Sequence, residues 1–180
     1  MPIEPDRKNW TWVLQRSCPE CGFDASTLPK DRVAPLIRQN AAEWLVVLAE
    51  PVGLLRRRTS DQRWTPLEYA CHVRDVFTLY GARLQMMLTL DNPTFPNWDQ
   101  DQTAVEERYN EQDPDKVASE LASAATNLAT GFDAVSDLQW ERQGLRSDGA
   151  SFTVDSFGRY MIHDPIHHLD DVTGDLRRMR

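Results

Sequence analysis

Apolar side chains recur at three- and four-residue intervals in four separate stretches of this chain, and no stretch alternates as a half-buried strand would. The first predicted helix runs from about Asp31 to Ala49, with Val33, Ile37, Trp44, Leu45 and Leu48 near helical spacing and Pro51 and Gly53 ending it. The second opens on Thr65-Pro66-Leu67-Glu68: an N-cap threonine, proline at the first helical position, and a glutamate three residues after the cap. That is a capping box, in which side chains satisfy two backbone amides reciprocally. Its stripe, Tyr69, Val73, Val76, Tyr80, Leu84 and Met87, runs to about Leu90, where Asp91-Asn92-Pro93 stops it. The third helix spans Pro114 to about Val135 through Val117, Leu121, Ala124 and Leu128. The fourth begins near Thr153 or Asp155, either of which can cap it, and reads as helix from Ser156 to Arg178.

Residues 91–113 form a connection rich in Pro, Asn, Asp and Gln, with one helical turn expected around Ala104–Tyr109. A structureless link of that length is uncommon inside a domain. A crossover that returns the chain along a bundle, leaving helices two and three parallel, accounts for it. The connection also carries Phe95 and Trp98, candidates for the wall or lid of a pocket. The expected fold is therefore all-α, a four-helix bundle formed by residues 28–180, preceded by an N-terminal arm, 1–27.

Composition narrows the function classes. The net charge of −8 argues against nucleic acid as a partner, since polyanion binders concentrate Lys and Arg. Arg56-Arg57-Arg58 is the one basic cluster and suits a solvated helix end. No segment is long and apolar enough to span a membrane, and the start, Met1 to Asp6, lacks the apolar run of a leader. Three cysteines give no disulfide framework, so a cytoplasmic, reduced protein is expected.

The chemistry lies in the histidines. His163 and His167 stand one helical turn apart, so both can reach a single cation. His72 sits early in the well-capped second helix, and three imidazoles with an open fourth position suit a catalytic zinc-type site. Asp75 and Asp171 are candidate partners for the outward ring nitrogens, with Asp164 and Asp170 as alternatives. His163 and His167 lie off the stripe of Leu169, Val172 and Leu176, whereas His168 lies nearer to it. Either that helix is buried on two sides or Pro165 resets its phase.

Trp64-Thr65-Pro66-Leu67-Glu68-x-x-x-His72-x-x-Asp75 resembles the second-helix signature of the DinB/YfiT-like proteins, and His163-Asp164-x-x-His167 followed by Val172 resembles their fourth-helix signature. The resemblance covers roughly residues 28–180. It implies an up-down-down-up bundle and a homodimer. It also implies one divalent metal ion, zinc with nickel or iron as alternatives, on His72, His163 and His167. It further implies action on small molecules, as a low-molecular-weight thiol transferase or isomerase using bacillithiol, mycothiol or glutathione. A metal-dependent hydrolase or a non-catalytic metal-binding bundle with a structural or stress-related role are the other readings. Where the family often carries Gln after the last histidine, this chain has Asp170 or Asp171.

Cys18-Pro19-Glu20-Cys21-Gly22 precedes the matching part and reads as half of a zinc ribbon, since no second CxxC supplies the other two ligands. It is a candidate second metal site. A redox dithiol and an ordered strap that packs through Trp10 and Trp12 are the alternatives.

Overall fold

The computed structural model describes residues 9–179. Its four long helices are α1 (Val33–Leu48), α2 (Pro66–Thr89), α3 (Pro114–Asp133) and α4 (Val154–Met179). Each lies where the apolar periodicity places it. The capping box at the start of α2 is complete: Glu68 N–H donates to Thr65 Oγ1 at 3.1 Å, and Thr65 N–H donates to Glu68 Oε2 at 2.7 Å. At α4 Thr153 takes the capping role, accepting from Ser156 N–H at 3.2 Å.

Contacts along the helices fix their directions. Arg74 reaches Glu120 at 2.9 Å, and further along Gly131 packs against Leu84, so α2 and α3 run parallel. Asn40 donates to the Pro165 carbonyl while Gly158 meets Val33, so α1 and α4 are parallel too. The α2–α4 pair is antiparallel, with Tyr80 on Phe157 and His72 on His168. The topology is up-down-down-up, as expected, and residues 91–113 are the crossover.

That crossover holds more structure than one turn. It contains strand β1 (Thr94–Phe95), a short helix over Gln100–Glu106 capped by Asp99, and a 3-10 turn at Tyr109–Glu111. β1 pairs in parallel with β2 (Gln143–Arg146), which pairs antiparallel with β3 (Ser151–Thr153). This sheet is invisible in the hydrophobic pattern, because strands of two to four residues are too short to show alternation. A glycine is needed at 144: a Cβ there would lie 2.5 Å from Phe95 Cζ and 3.0 Å from Met87 Cγ. The hairpin β2–β3 also sets Arg146 against α4, where its Nη1 donates to Tyr160 Oη at 2.8 Å.

The core gathers Trp44, Phe77, Tyr109, Phe132 and Phe157 between the helices. On α3, Ala125 rather than Ala124 takes the fully buried place in the stripe. The arginine cluster follows a short helix (Val52–Leu55), and its side chains bind Gln112 O, Met179 O and Glu68. No helix among the described residues is long and apolar enough to cross a membrane. The expectation about a leader at Met1–Asp6 concerns residues outside the described ones.

The arm packs on α4. A 3-10 turn (Trp10–Leu14) capped by Asn9 sets the Trp10 ring 5.5 Å from His163 and 5.2 Å from His167. Trp12 packs against Trp10 with ring centres 5.6 Å apart, and Arg159 of α4 donates to Ser26 O at 3.1 Å.

Candidate functional site

Helical phase decides which side chains meet. Successive residues on a helix step about 100° apart, so on α4 the pair His163/His167 and the pair Asp164/His168 lie on adjacent lines. Helix α4 is buried on more than one side, and the two lines face different neighbours. His163 and His167 turn towards the arm and are nearly inaccessible beneath it. Asp164 and His168 turn towards α2, where His72 waits in the second turn.

Two groups of ligand atoms result, each with all its atoms within 4.8 Å of one another: Cys18, Cys21, His163 and His167, and separately His72, Asp164 and His168. The expected trio of His72, His163 and His167 is therefore divided among the described residues. The i,i+4 pair that faces α2 is one residue further along α4 than the sequence motif suggested. Pro165 does not reset the helix. It lacks an N–H, and its carbonyl accepts from Asn40 Nδ2 at 3.1 Å and Trp44 Nε1 at 3.3 Å, which ties α4 to α1 at the level of both groups.

In the first group, His167 Nδ1 lies 3.7 Å from Cys18 Sγ, and His163 Nε2 lies 3.8 Å from Cys21 Sγ. The other ring nitrogen of His167 faces Glu20 and Asp171 at 3.6 and 3.7 Å. Burial, then the nearby His167, pulls the His163 pKa down to about 4. Burial, then His168, lowers that of His167. Both rings are thus neutral and hold free lone pairs at physiological pH. Burial pushes the Cys21 thiol up to about 11, with Cys18 adding to the rise.

In the second group, the Asp164 carboxylate accepts from His72 Nε2 at 3.1 Å and faces His168 Nε2 at 3.4 Å. Burial would raise the Asp164 carboxyl, but the adjoining imidazoles of His168 and His72 hold it well below the usual range. His168 is the converse: burial works against its charge, yet Asp164 and Asp171 lift it to about 9. Nδ1 of His72 and Nδ1 of His168 are buried and without a hydrogen-bond partner among the described residues. Two imidazoles whose Nε2 atoms meet one carboxylate are a donor set that fits a divalent cation, which would take the place of the proton that His168 carries beside Asp164 and Asp171.

The expected partner Asp75 is elsewhere: it binds Arg74 at 2.8 Å and accepts from the Tyr109 hydroxyl. Asp171 stands by both groups, with Arg63 at 2.7 Å, His167 Nε2 at 3.7 Å and His168 Nδ1 at 3.9 Å.

A cavity of about 740 Å³ opens over the second group. Trp98, from the crossover, stacks on His72 with ring centres 5.4 Å apart and planes within 4°, and its Nε1 donates to Thr103 Oγ1 at 2.9 Å. Trp64 covers the other side of His72 at 5.2 Å. Phe95, the other wall candidate, is instead fully buried in the core. The cavity runs along α2 from His72 through Val76 and Tyr80 to Arg83. Eleven residues of helix separate its ends, about 16 Å, and return to nearly the same face. At the far end stand Arg83, Arg146 and Tyr160. Arg83 is buried, its Nη2 donates to Pro96 O at 3.0 Å, and its Nε has no hydrogen-bond partner among the described residues. None of these far-end residues carried a signal in the sequence, because single arginines and tyrosines have no motif spacing.

Comparison with known proteins bears on the fold and the family. The computed fold is similar to the structure of YfiT from Bacillus subtilis, "a probable metal-dependent hydrolase with an unusual four-helix bundle topology", at TM-score 0.76 and 20% identity over 83% of this chain and 87% of that one. It is similar also to the mycothiol-dependent maleylpyruvate isomerase and to a histidine-to-alanine variant of it. Each of those matches has TM-score 0.68 and 13% identity and covers 82% of this chain and 62% of that one. At such identities the likeness concerns the fold. No curated protein sequence matches this chain significantly. The family model of the DinB superfamily matches residues 36–172, well over half of the sequence, and the chain belongs to that superfamily.

Proposed function

We propose that this protein is a metal-dependent enzyme that joins a low-molecular-weight thiol to an anionic small molecule, with His72, Asp164 and His168 holding the divalent cation. The observation that carries the reading is the convergence of two imidazole Nε2 atoms on one carboxylate at the floor of a large cavity. Zinc and ferrous iron both suit such a donor set. When bound, the cation supplies Lewis acidity towards a substrate oxygen or sulfur.

The remaining work falls to the chain itself. Arg83 and Arg146 place positive charge at the far end for a carboxylate or similar anion, with Arg146 held there by Asp148 at 2.8 and 2.6 Å. Tyr160 accepts from Arg146 and so turns its own hydroxyl proton towards the cavity; burial raises its pKa and keeps that proton in place. Trp64 and Trp98 wall His72 and exclude water from the reacting end. Asp171 braces the His168 ring. The volume supports two small molecules at once, since pockets of ~300–1,000 Å³ hold drug-sized ligands.

The likeness to YfiT keeps hydrolysis as the second reading, since one cation can polarise an ester or amide carbonyl as well. The test is a panel of electrophiles, each as the free acid and as its methyl ester, offered to zinc-loaded protein with and without a thiol. The thiol reading expects thiol-dependent turnover of the acids, lost in His72→Ala and Asp164→Asn, with a raised KM for acids alone in Arg146→Gln. Thiol-independent turnover would favour hydrolysis. Turnover that survives both His72→Ala and Asp164→Asn would overturn the site.

A further inference from the structure

The open triad uses neither Cys18 nor Cys21, and it leaves a four-residue group of buried and half-buried donors unexplained. We propose that Cys18, Cys21, His163 and His167 form a second, closed metal site that binds a structural zinc ion and clasps the N-terminal arm onto α4. The ligand set is two thiolates from a Cys-x-x-Cys turn and two imidazoles one helical turn apart, which is the composition and spacing of closed tetrahedral zinc sites.

The backbone is shaped for it. Cys18 N–H donates to Phe23 O and Gly22 N–H donates to Cys18 O, both at 2.8 Å, which folds the CPECG segment into a tight knuckle. Gly22 takes φ +75°, a conformation that disfavours any side chain, so the glycine after the second cysteine is a requirement of the turn. Both sulfurs then face α4, each beside a different histidine.

The surroundings suit a structural cation. Cys18 is 1% exposed and Cys21 half-buried, and although His163 and His167 also border the cavity, four protein ligands fill a tetrahedral shell and leave no position for substrate. Trp10 covers both imidazoles. The outward nitrogen of His167 faces the carboxylates of Glu20 and Asp171, the arrangement that fixes the tautomer of a metal-bound imidazole. One of these carboxylates belongs to the knuckle itself, so the arm brings both thiolates and a brace for the histidine opposite. The consequence reaches the open site, because Trp10 and Glu20 of the arm also line the cavity. A cation in the clasp therefore holds one wall of the pocket in place, its own positions filled by protein ligands.

The proposal does not depend on the catalytic reading, since the two sites share no ligand. The experiment is elemental analysis of natively purified full-length protein, paired with the electronic spectrum after cobalt exchange. Wild type is expected to carry one metal equivalent more than Cys18→Ser/Cys21→Ser, and to show thiolate-to-cobalt charge-transfer absorption that this variant lacks. His72→Ala/Asp164→Asn is expected to lose the other equivalent and keep the charge-transfer band. Cys21→Asp, which retains an anionic ligand, is expected to keep its metal, with a weakened band that still reports Cys18. Limited proteolysis supplies a readout free of variants: a chelator should speed cleavage within residues 9–29 of wild type at least tenfold. Absence of the charge-transfer band in the wild-type protein, or a Cys18–Cys21 disulfide in place of metal, would overturn the clasp. Neither result would touch the open triad.

Discussion

Thr65→Ala offers the cleanest quantitative test of how the fold presents His72. Thr65 is fully buried, and its hydroxyl has two duties: it accepts from Glu68 N–H at 3.1 Å and donates to Asn110 Oδ1 at 3.0 Å. Alanine removes both bonds and leaves a buried backbone amide without its acceptor. Loss of an N-cap side chain costs about 1 kcal/mol, and loss of a further hydrogen bond about 1 kcal/mol more, so about 2 kcal/mol is expected. For a chain of this size that lowers Tm by about 4–8 °C. Thr65→Ser keeps the hydroxyl and forfeits one methyl, about 0.8 kcal/mol. The assay is urea and thermal denaturation of the three proteins in chelator, so that metal binding does not mask the difference. The cap sits seven residues before His72, so re-addition of metal should also show a weaker midpoint in the alanine variant. Equal stability of the alanine and serine variants, or an alanine loss below about 0.5 kcal/mol, would refute the role given to the cap.

Other perturbations probe different joints. Gly144→Ala should lower the unfolding free energy, read from urea denaturation, by about 1–3 kcal/mol, because the new Cβ would overlap the fully buried Phe95 ring at 2.5 Å. Trp44→Phe removes one of the two donors on the Pro165 carbonyl and should cost about 1 kcal/mol in denaturation. It should also weaken metal retention, since Pro165 lies between the ligands of both groups. Asp133→Asn breaks the Arg38 pair, but both side chains are about half exposed, so a change under about 0.5 kcal/mol is expected in the same assay.

The parts of this molecule written in repeating patterns were legible from the residues. Helix limits, the Thr65 cap and the parallel α2–α3 pair followed from periodicity, from the capping box and from the length of the 91–113 link. The site was legible only in part. His72 and the 163–168 segment were marked as the place where ligands meet, yet HDPIHH contains two overlapping i,i+4 pairs, and spacing alone does not say which faces α2. The neighbours decide it: Asn40 and Trp44 fix Pro165, the arm covers His163 and His167, and α2 is left with Asp164 and His168. The proximity of His168 to the apolar stripe was the usable clue. The CxxC read as half a site because its missing ligands lie more than 140 residues away on α4. Arg83 and Arg146 meet only through tertiary packing and had no signature to read.

The most direct test of the account is anomalous diffraction from crystals of metal-loaded protein, with data on either side of the absorption edge of the bound ion. The account predicts an anomalous peak within bonding distance of His72, Asp164 and His168. A peak shared by His72, His163 and His167, or none beside Asp164, would contradict it.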